Sequence, residues 1–311
     1  VRILLAGDTH GNIKHVRYLI RMAAQRGISI VFVVGDFGAW EHAAKGVRFF
    51  DDVDGAAKAA GVTVFFLDGN HDKTSLVLEK YGDCVDSEGF LICRPNLRYA
   101  PRGHRWTWGS KRFLAFGGAY SVDKFMRLDE EHQAHKLALE LRNSGLRYVN
   151  VDASGTLWFP EEEASDEEFE RVLRDRTRVD VLLTHDKPDG STPPGWTYKQ
   201  PVECYRNQVR IQQIADLVTP TLLVHGHLHY PYEQDVRLAP SGATMRVIGL
   251  DCDQPMFHPD YDPMDSWVVL DLDLFDVSAS YPEASVGGPR RLWSGLSSAI
   301  GGPYGVAHLA A

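Results

Sequence analysis

The sequence is poor in cysteine. Its 311 residues hold only Cys84, Cys93, Cys204 and Cys252, scattered and without a C-x-x-C pair. That excludes a thiolate-rich zinc cluster and a disulfide scaffold; reduced, mostly buried thiols in a cytoplasmic protein are expected. No apolar run is long enough to cross a bilayer. No charged n-region or cleavage site stands ahead of the opening VRILLAGD, so neither secretion nor a membrane partner is expected. Basic charge is not in excess either. The net charge of −9 excludes a phosphate-backbone clamp as the main purpose, and stable nucleic-acid binding is not expected. A locally positive site would have to be made by bound ions. Repeats and long linkers are missing as well. The simplest organisation is one domain over residues 1–284, followed by a Gly-, Ser- and Pro-rich, loosely ordered tail over 285–311. Nothing in the composition specifies an oligomeric state.

What the chain does have is histidine in the right place. Thr221–Tyr230 reads TLLVHGHLHY: a short apolar run ending in three histidines within five residues. His227 and His229 are two apart, so on extended backbone their side chains leave the same side. Gly226 lets the backbone pass close to whatever the imidazoles hold. On its own this stretch also fits a His-rich surface loop.

Other apolar runs end in the same fashion. Arg2–Ala6 leads into Gly7-Asp8-Thr9-His10, Ile28–Val34 into Gly35-Asp36, Val62–Leu67 into Asp68-Gly69-Asn70-His71-Asp72, and Val179–Leu183 into Thr184-His185. Between them lie helical patterns: Val16, Leu19, Ile20 and Ala23 on one face, then Val47–Ala60 and Val202–Val218. Near-continuous apolar strands alternating with helices indicate an α/β fold whose sheets are covered on both faces. Arg105–Trp108, Gly109-Ser110 and Lys111–Phe116 read as a hairpin. Its Trp106 and Trp108, interleaved with basic residues, could alternatively form a stacking surface for nucleic acid. Leu128–Ser144 reads as a polar helix, and residues 128–157 as a possible insertion. Ser165 to Glu168 matches a capping box opening a short helix. Lys187–Gln200 is a Pro- and Gly-rich loop expected to border the site. Met245–Leu250 and Trp267–Leu272 read as further strands.

In open α/β sheets, ligands sit at the carboxyl ends of the strands. Asp8, His10, Asp36, Asn70, His185, His227 and His229 supply enough donors for two divalent ions about 3.5–4 Å apart with a hydroxide between them. A donor set of nitrogen and oxygen without thiolate fits manganese, iron, zinc or nickel, and manganese is the expected pair. Two divalent ions, two carboxylates and a hydroxide leave a charge of about +1 in an otherwise acidic chain, which attracts a small phosphate ester. His71 lies beside the cluster without being needed as a ligand. A histidine there can protonate a departing alkoxide, with Asp72 a candidate to orient it.

In order, Gly7-Asp8-Thr9-His10, Gly35-Asp36, Gly69-Asn70-His71-Asp72, Thr184-His185 and Gly226-His227-Leu228-His229 resemble the five blocks of the calcineurin-like metallophosphoesterase superfamily. The resemblance implies a four-layer α/β/β/α sandwich with a dinuclear centre. It implies Asp8, His10, Asp36 and His229 around one metal, and Asp36, Asn70, His185 and His227 around the other, with His71 the general acid. His225 falls outside the ligand blocks and is expected in a supporting role. Gly117–Lys124 and Trp158–Glu162 are similar to segments of smaller bacterial and phage metallophosphoesterases.

The chain departs from the protein phosphatases of that superfamily, which continue the second block as G-D-x-V-D-R-G. Here Ala39 stands where they carry the aspartate that pairs with the catalytic histidine, and their phosphate-gripping arginine is missing. Arg102 and Arg127 are the candidate substitutes. A diester carries one negative charge fewer than a monoester dianion, so this loss points to phosphodiesters such as small nucleotide or cyclic-nucleotide diesters, hydrolysed by in-line attack of the bridging hydroxide. Bis(p-nitrophenyl) phosphate is the artificial substrate implied by the resemblance. The alternatives are a phosphomonoesterase, a weak nuclease, and a non-catalytic binding module on the same fold; none of the seven ligand positions is missing, which weighs against the last.

Overall fold

The computed structural model describes residues 1–144, 156–253 and 263–279. The tail over 285–311 and part of the possible insertion over 128–157 lie outside them. The first half runs β1 (Arg2–Ala6), α1 (Ile13–Gln25), β2 (Ile30–Val34), α2 (Ala44–Ala60), β3 (Thr63–Leu67), α3 (Thr74–Tyr81), β4 (Leu91–Arg94) and β5 (Leu97–Tyr99). Then come β6 (Arg105–Trp108), β7 (Lys111–Phe116), α4 (Lys124–Asn143), α5 (Asp166–Arg174), β8 (Val181–Thr184), α6 (Cys204–Val218) and β9 (Leu222–His225). The chain continues through β10 (Tyr232–Arg237), β11 (Thr244–Gly249), a 3-10 turn (Pro263–Ser266), β12 (Trp267–Asp271) and β13 (Asp276–Ala279).

The strands form two sheets. One has the order β13-β12-β1-β2-β3-β5-β4 and the other β10-β11-β9-β8-β7-β6. In the first, β1, β2, β3 and β5 run parallel; in the second, β7, β8, β9 and β11 do. Successive residues of a strand point to opposite faces, and here both faces are apolar. Leu4, Ala6, Val31 and Val33 pack outward against Val16, Leu19 and Ile20 of α1 and Phe49, Phe50 and Val53 of α2. Ile3, Leu5, Phe32 and Val34 point inward and meet Phe113, Ala115, Val181, Leu183 and Val224 of the other sheet. Leu114, Leu182 and Leu223 face out again, onto Ile211, Ile214 and Val218 of α6. Three cores between four layers make the α/β/β/α sandwich, and they explain why the strands read as unbroken apolar runs.

The hairpin forms in the expected register, with Trp108 opposite Lys111. Its tryptophans do not offer a stacking surface: Trp106 and Trp108 are buried among Phe32, Phe65, Phe90 and Phe113, with ring centroids 4.9–6.3 Å apart where these tryptophans take part. The capping box at Ser165 is complete. The helix expected over 128–144 begins four residues earlier, at Lys124. Its buried residues are Glu131 and Ala138, too few to mark its start by an apolar stripe. The four cysteines are free, and three of them are buried.

Candidate metal centre

Five loops leave the carboxyl ends of β1, β2, β3, β8 and β9 and meet between the two sheets. Asp8, His10 and His229 bring ligand atoms within 4.8 Å of one another, and so do Asp8, Asp36 and His185. His229 Nε2 lies 2.9 Å from Asp8 Oδ2. His10 Nε2 and His185 Nε2 each lie 3.5 Å from Asp36 Oδ2. Asn70 Oδ1 is 2.9 Å from His185 Nε2, while its amide nitrogen donates to Ser121 Oγ at 2.9 Å, so the oxygen is turned to the cluster. The ring of His227 is 5.0 Å from that of His185, and its backbone N–H donates to Asp8 Oδ1. Asp8, His10, Asp36, His185 and His229 therefore converge on one place, with Asp8 shared by both close groups, while Asn70 and His227 lie against His185 at its edge.

The backbone is strained where these residues sit. His10, Asp36, His227 and His229 take φ values of 44°, 45°, 65° and 49°. L-residues avoid this left-handed region at a cost of about 1–3 kcal/mol each, and such outliers collect where a function over-determines geometry. Glycine is required beside them. A Cβ on Gly226 would collide with Asp8 Oδ1, and one on Gly69 with Asp36 Oδ1.

Charge explains what the cluster can hold. Asp8 and Asp36 are 0 % and 2 % exposed, and two carboxylates buried together need cations. Burial works to raise both, yet His185 and other facing imidazoles hold Asp8 below and Asp36 well below the usual carboxylate range. Correspondingly, burial alone would depress His185, but the charges of Asp36 and Asp8 push it up to about 10. His10 is likewise raised, against burial, by Asp253 and Asp36. The carboxylates are thus set among imidazoles that offset their charge, and the donor set of nitrogen and oxygen fits divalent cations. The centre opens to solvent at the His10, His71 and His229 side chains, which are 22 %, 16 % and 18 % exposed, and His227 is half-buried, while His185 is fully buried.

His71 stands at this open side, its Nε2 3.9 Å from Asp36 Oδ2. Asp72 does not orient it. That carboxylate accepts the backbone N–H groups of Phe37, Gly38, Ala39 and Gly69 at 2.8–3.0 Å, and so ties the loops after β2 and β3 together. Of the two arginines, Arg102 is buried and committed to Asp68 and Glu168. Arg127, in the first turn of α4, places Nη2 3.4 Å from His71 Nε2 and pairs through Nε with Asp123 at 2.6 Å. His225 turns away from the cluster: its Nε2 meets Tyr232 Oη at 2.8 Å, which meets Ser191 Oγ at 2.9 Å. This chain pins the Lys187–Gln200 loop, whose Trp196 ring packs 5.5 Å from Tyr230, next to His229. Two contributors were absent from the sequence reading, Ser121 and Asp253. The second had a signal, since Asp251-Cys252-Asp253 follows an apolar strand as the other ligand loops do.

Buried carboxylates ringed by imidazoles at the ends of parallel strands define a class of protein that works through divalent cations. The chain belongs to the calcineurin-like phosphoesterase family, whose model matches residues 1–231, and is a metal-dependent phosphoester hydrolase. No curated protein sequence matches it. Among solved structures it is similar to TT1561 of Thermus thermophilus, with 12% identity, a TM-score of 0.49, and 90% and 99% of the two chains covered. It is also similar to a dimetal phosphatase from Danio rerio, with 13% identity, a TM-score of 0.48, and 86% and 91% covered. A third is an archaeal phosphodiesterase, with 11% identity, a TM-score of 0.39, and 89% and 98% covered.

Proposed function

We propose that the protein hydrolyses small phosphodiesters of the nucleotide or cyclic-nucleotide type at a centre of two divalent cations, with manganese the expected pair. Asp8, His10, Asp36 and His229 would hold one; Asp36, Asn70, His185 and His227 the other. When bound, the cations supply positive charge to the phosphoryl oxygens and acidify water for in-line attack. His71, beside the cluster at its open side, delivers a proton to the departing oxygen. The tethered 187–200 loop and the start of α4 flank the substrate.

The observation that carries the preference for diesters is the Arg127–Asp123 pair at 2.6 Å. Arg127 stands next to His71, but Asp123 offsets its charge, and Arg102 is spent inside the fold. A monoester dianion therefore finds little uncompensated cation beyond the metals. The 3.4 Å approach of Arg127 to His71 favours a second reading, a phosphomonoesterase in which this guanidinium grips the phosphoryl group. Metal-stripped protein titrated with Mn²⁺ and assayed on bis(p-nitrophenyl) phosphate and p-nitrophenyl phosphate separates them. Metal-dependent turnover favouring the diester is expected. Monoester preference that collapses in Arg127→Ala would establish the second reading instead.

A further inference from the structure

We propose that Asp253 is a positioning residue for His10, and that it makes the cation position on the His10 side the tighter of the two. The Asp253 side chain is fully buried, and its Oδ1 lies 2.9 Å from His10 Nδ1. The opposite ring nitrogen, Nε2, faces Asp36. A carboxylate at Nδ1 accepts the proton there, which leaves the Nε2 lone pair directed at the cluster and makes the imidazole a stronger donor.

Asp253 is itself held in place. Its second oxygen accepts Asn12 Nδ2 at 2.8 Å. The Asn12 amide cannot turn over freely, because its Oδ1 caps α1 by accepting the N–H groups of Lys14 and His15. The order of support thus runs from the helix end through Asn12 and Asp253 to His10. His185, by contrast, directs Nδ1 to the neutral carbonyl of Val34 at 3.0 Å. A carboxylate hydrogen-bonded to Nδ1 backs His10 and a carbonyl dipole backs His185, so these two imidazoles are unequal donors. The residue that creates the difference lies beyond residues 1–231 that match the family, on the loop after β11.

This inference rests on the two-cation reading, and one titration tests the two separately. Metal-stripped wild-type protein and Asp253→Asn are titrated with MnCl₂ by calorimetry, and the metal-free unfolding temperature of each is recorded. Wild type should take up two Mn²⁺ with unequal affinity. In Asp253→Asn the tighter site should weaken about 10- to 100-fold and the weaker site should stay within about twofold, while cooperative unfolding of the metal-free variant shows that it is folded. Two unchanged affinities, or equal weakening at both sites, would overturn the assignment. A wild type that binds no Mn²⁺ would overturn the two-cation reading beneath it. Should Asp253→Asn not fold, Asn12→Ser carries the test. It keeps a capping oxygen for α1 and removes only the amide donor to Asp253. Severalfold weakening of the tighter site supports the role, and unchanged binding overturns it.

Discussion

His71 sits between opposing influences. Burial pushes its ring down to about 4; the Asp36 carboxylate opposes this, and the Arg127 guanidinium adds to it. In the substrate-free protein the ring is therefore neutral at pH 7, and an anionic ester bound against it acts in the direction of protonation. If it then serves as the acid, His71→Ala should retain bound metal while turnover of a diester with an alkyl leaving group falls about 10²- to 10⁴-fold. A nitrophenolate departs without a proton, so its turnover should fall far less. Comparing kcat for the two leaving groups checks this, and equal losses would remove the general-acid role. The seven residues proposed as ligands stand out in the sequence because each follows an apolar run, a local pattern. Their supporting contacts were not. Asp72 is adjacent to His71 in sequence yet bonds four backbone N–H groups instead. Which neighbour a carboxylate serves is decided by how loops cross, and adjacency carries no information about that.

At the scale of elements, the strand-end loops are fitted to the carboxylates they surround. Gly226 marks the closest approach, where the loop after β9 lies against Asp8. Gly226→Ala places a methyl group on the oxygen that receives His227 N–H, so either the loop or Asp8 must shift. Overpacking of this kind costs about 1–3 kcal/mol. The expected outcome is a folded protein with normal far-ultraviolet dichroism and at least a tenfold loss in Mn²⁺ affinity; wild-type affinity would show the loop to be compliant. Elements with both faces buried, or with a turn that specifies them, were legible from sequence: β1, β2, β3, β8, β9 and the β6–β7 hairpin. Those that were missed have few buried residues. α3 buries Thr74 and Val77, and β10, an edge strand, buries Tyr232 and Val236 between charged and polar neighbours. An edge strand with one dry face carries little of the apolar signal that marks an interior one.

At the scale of the molecule, the centre is a joint between two sheets. Asp8, Asp36 and Asn70 come from the first, His185, His227 and His229 from the second, so whatever neutralises the carboxylates also holds the sheets together. Without metal, protons on the imidazoles do this work. His185 has its pKa pushed up to about 10, above the ordinary histidine value of about 6.5. For a group raised on folding, the stabilisation is full below the unfolded-state pKa and is lost as pH climbs through the folded-state one. Metal-free protein should therefore lose stability steadily from about pH 6.5 towards pH 10. Divalent cations reverse the sign. Held by the proposed ligands, they would compete with those same protons, so their binding should strengthen as pH rises. At a free concentration about 100 times the dissociation constant, a cation bound only by the folded state adds about 2.7 kcal/mol, several degrees in unfolding temperature for a chain of this size. Melting curves in EDTA and in MnCl₂ at several pH values test both statements. The two curves should lie close together near pH 6 and separate as pH rises, with the EDTA curve falling. A gap that stays constant with pH would mean that the cations do not displace the protons on these imidazoles, and that the convergent residues are not their ligands.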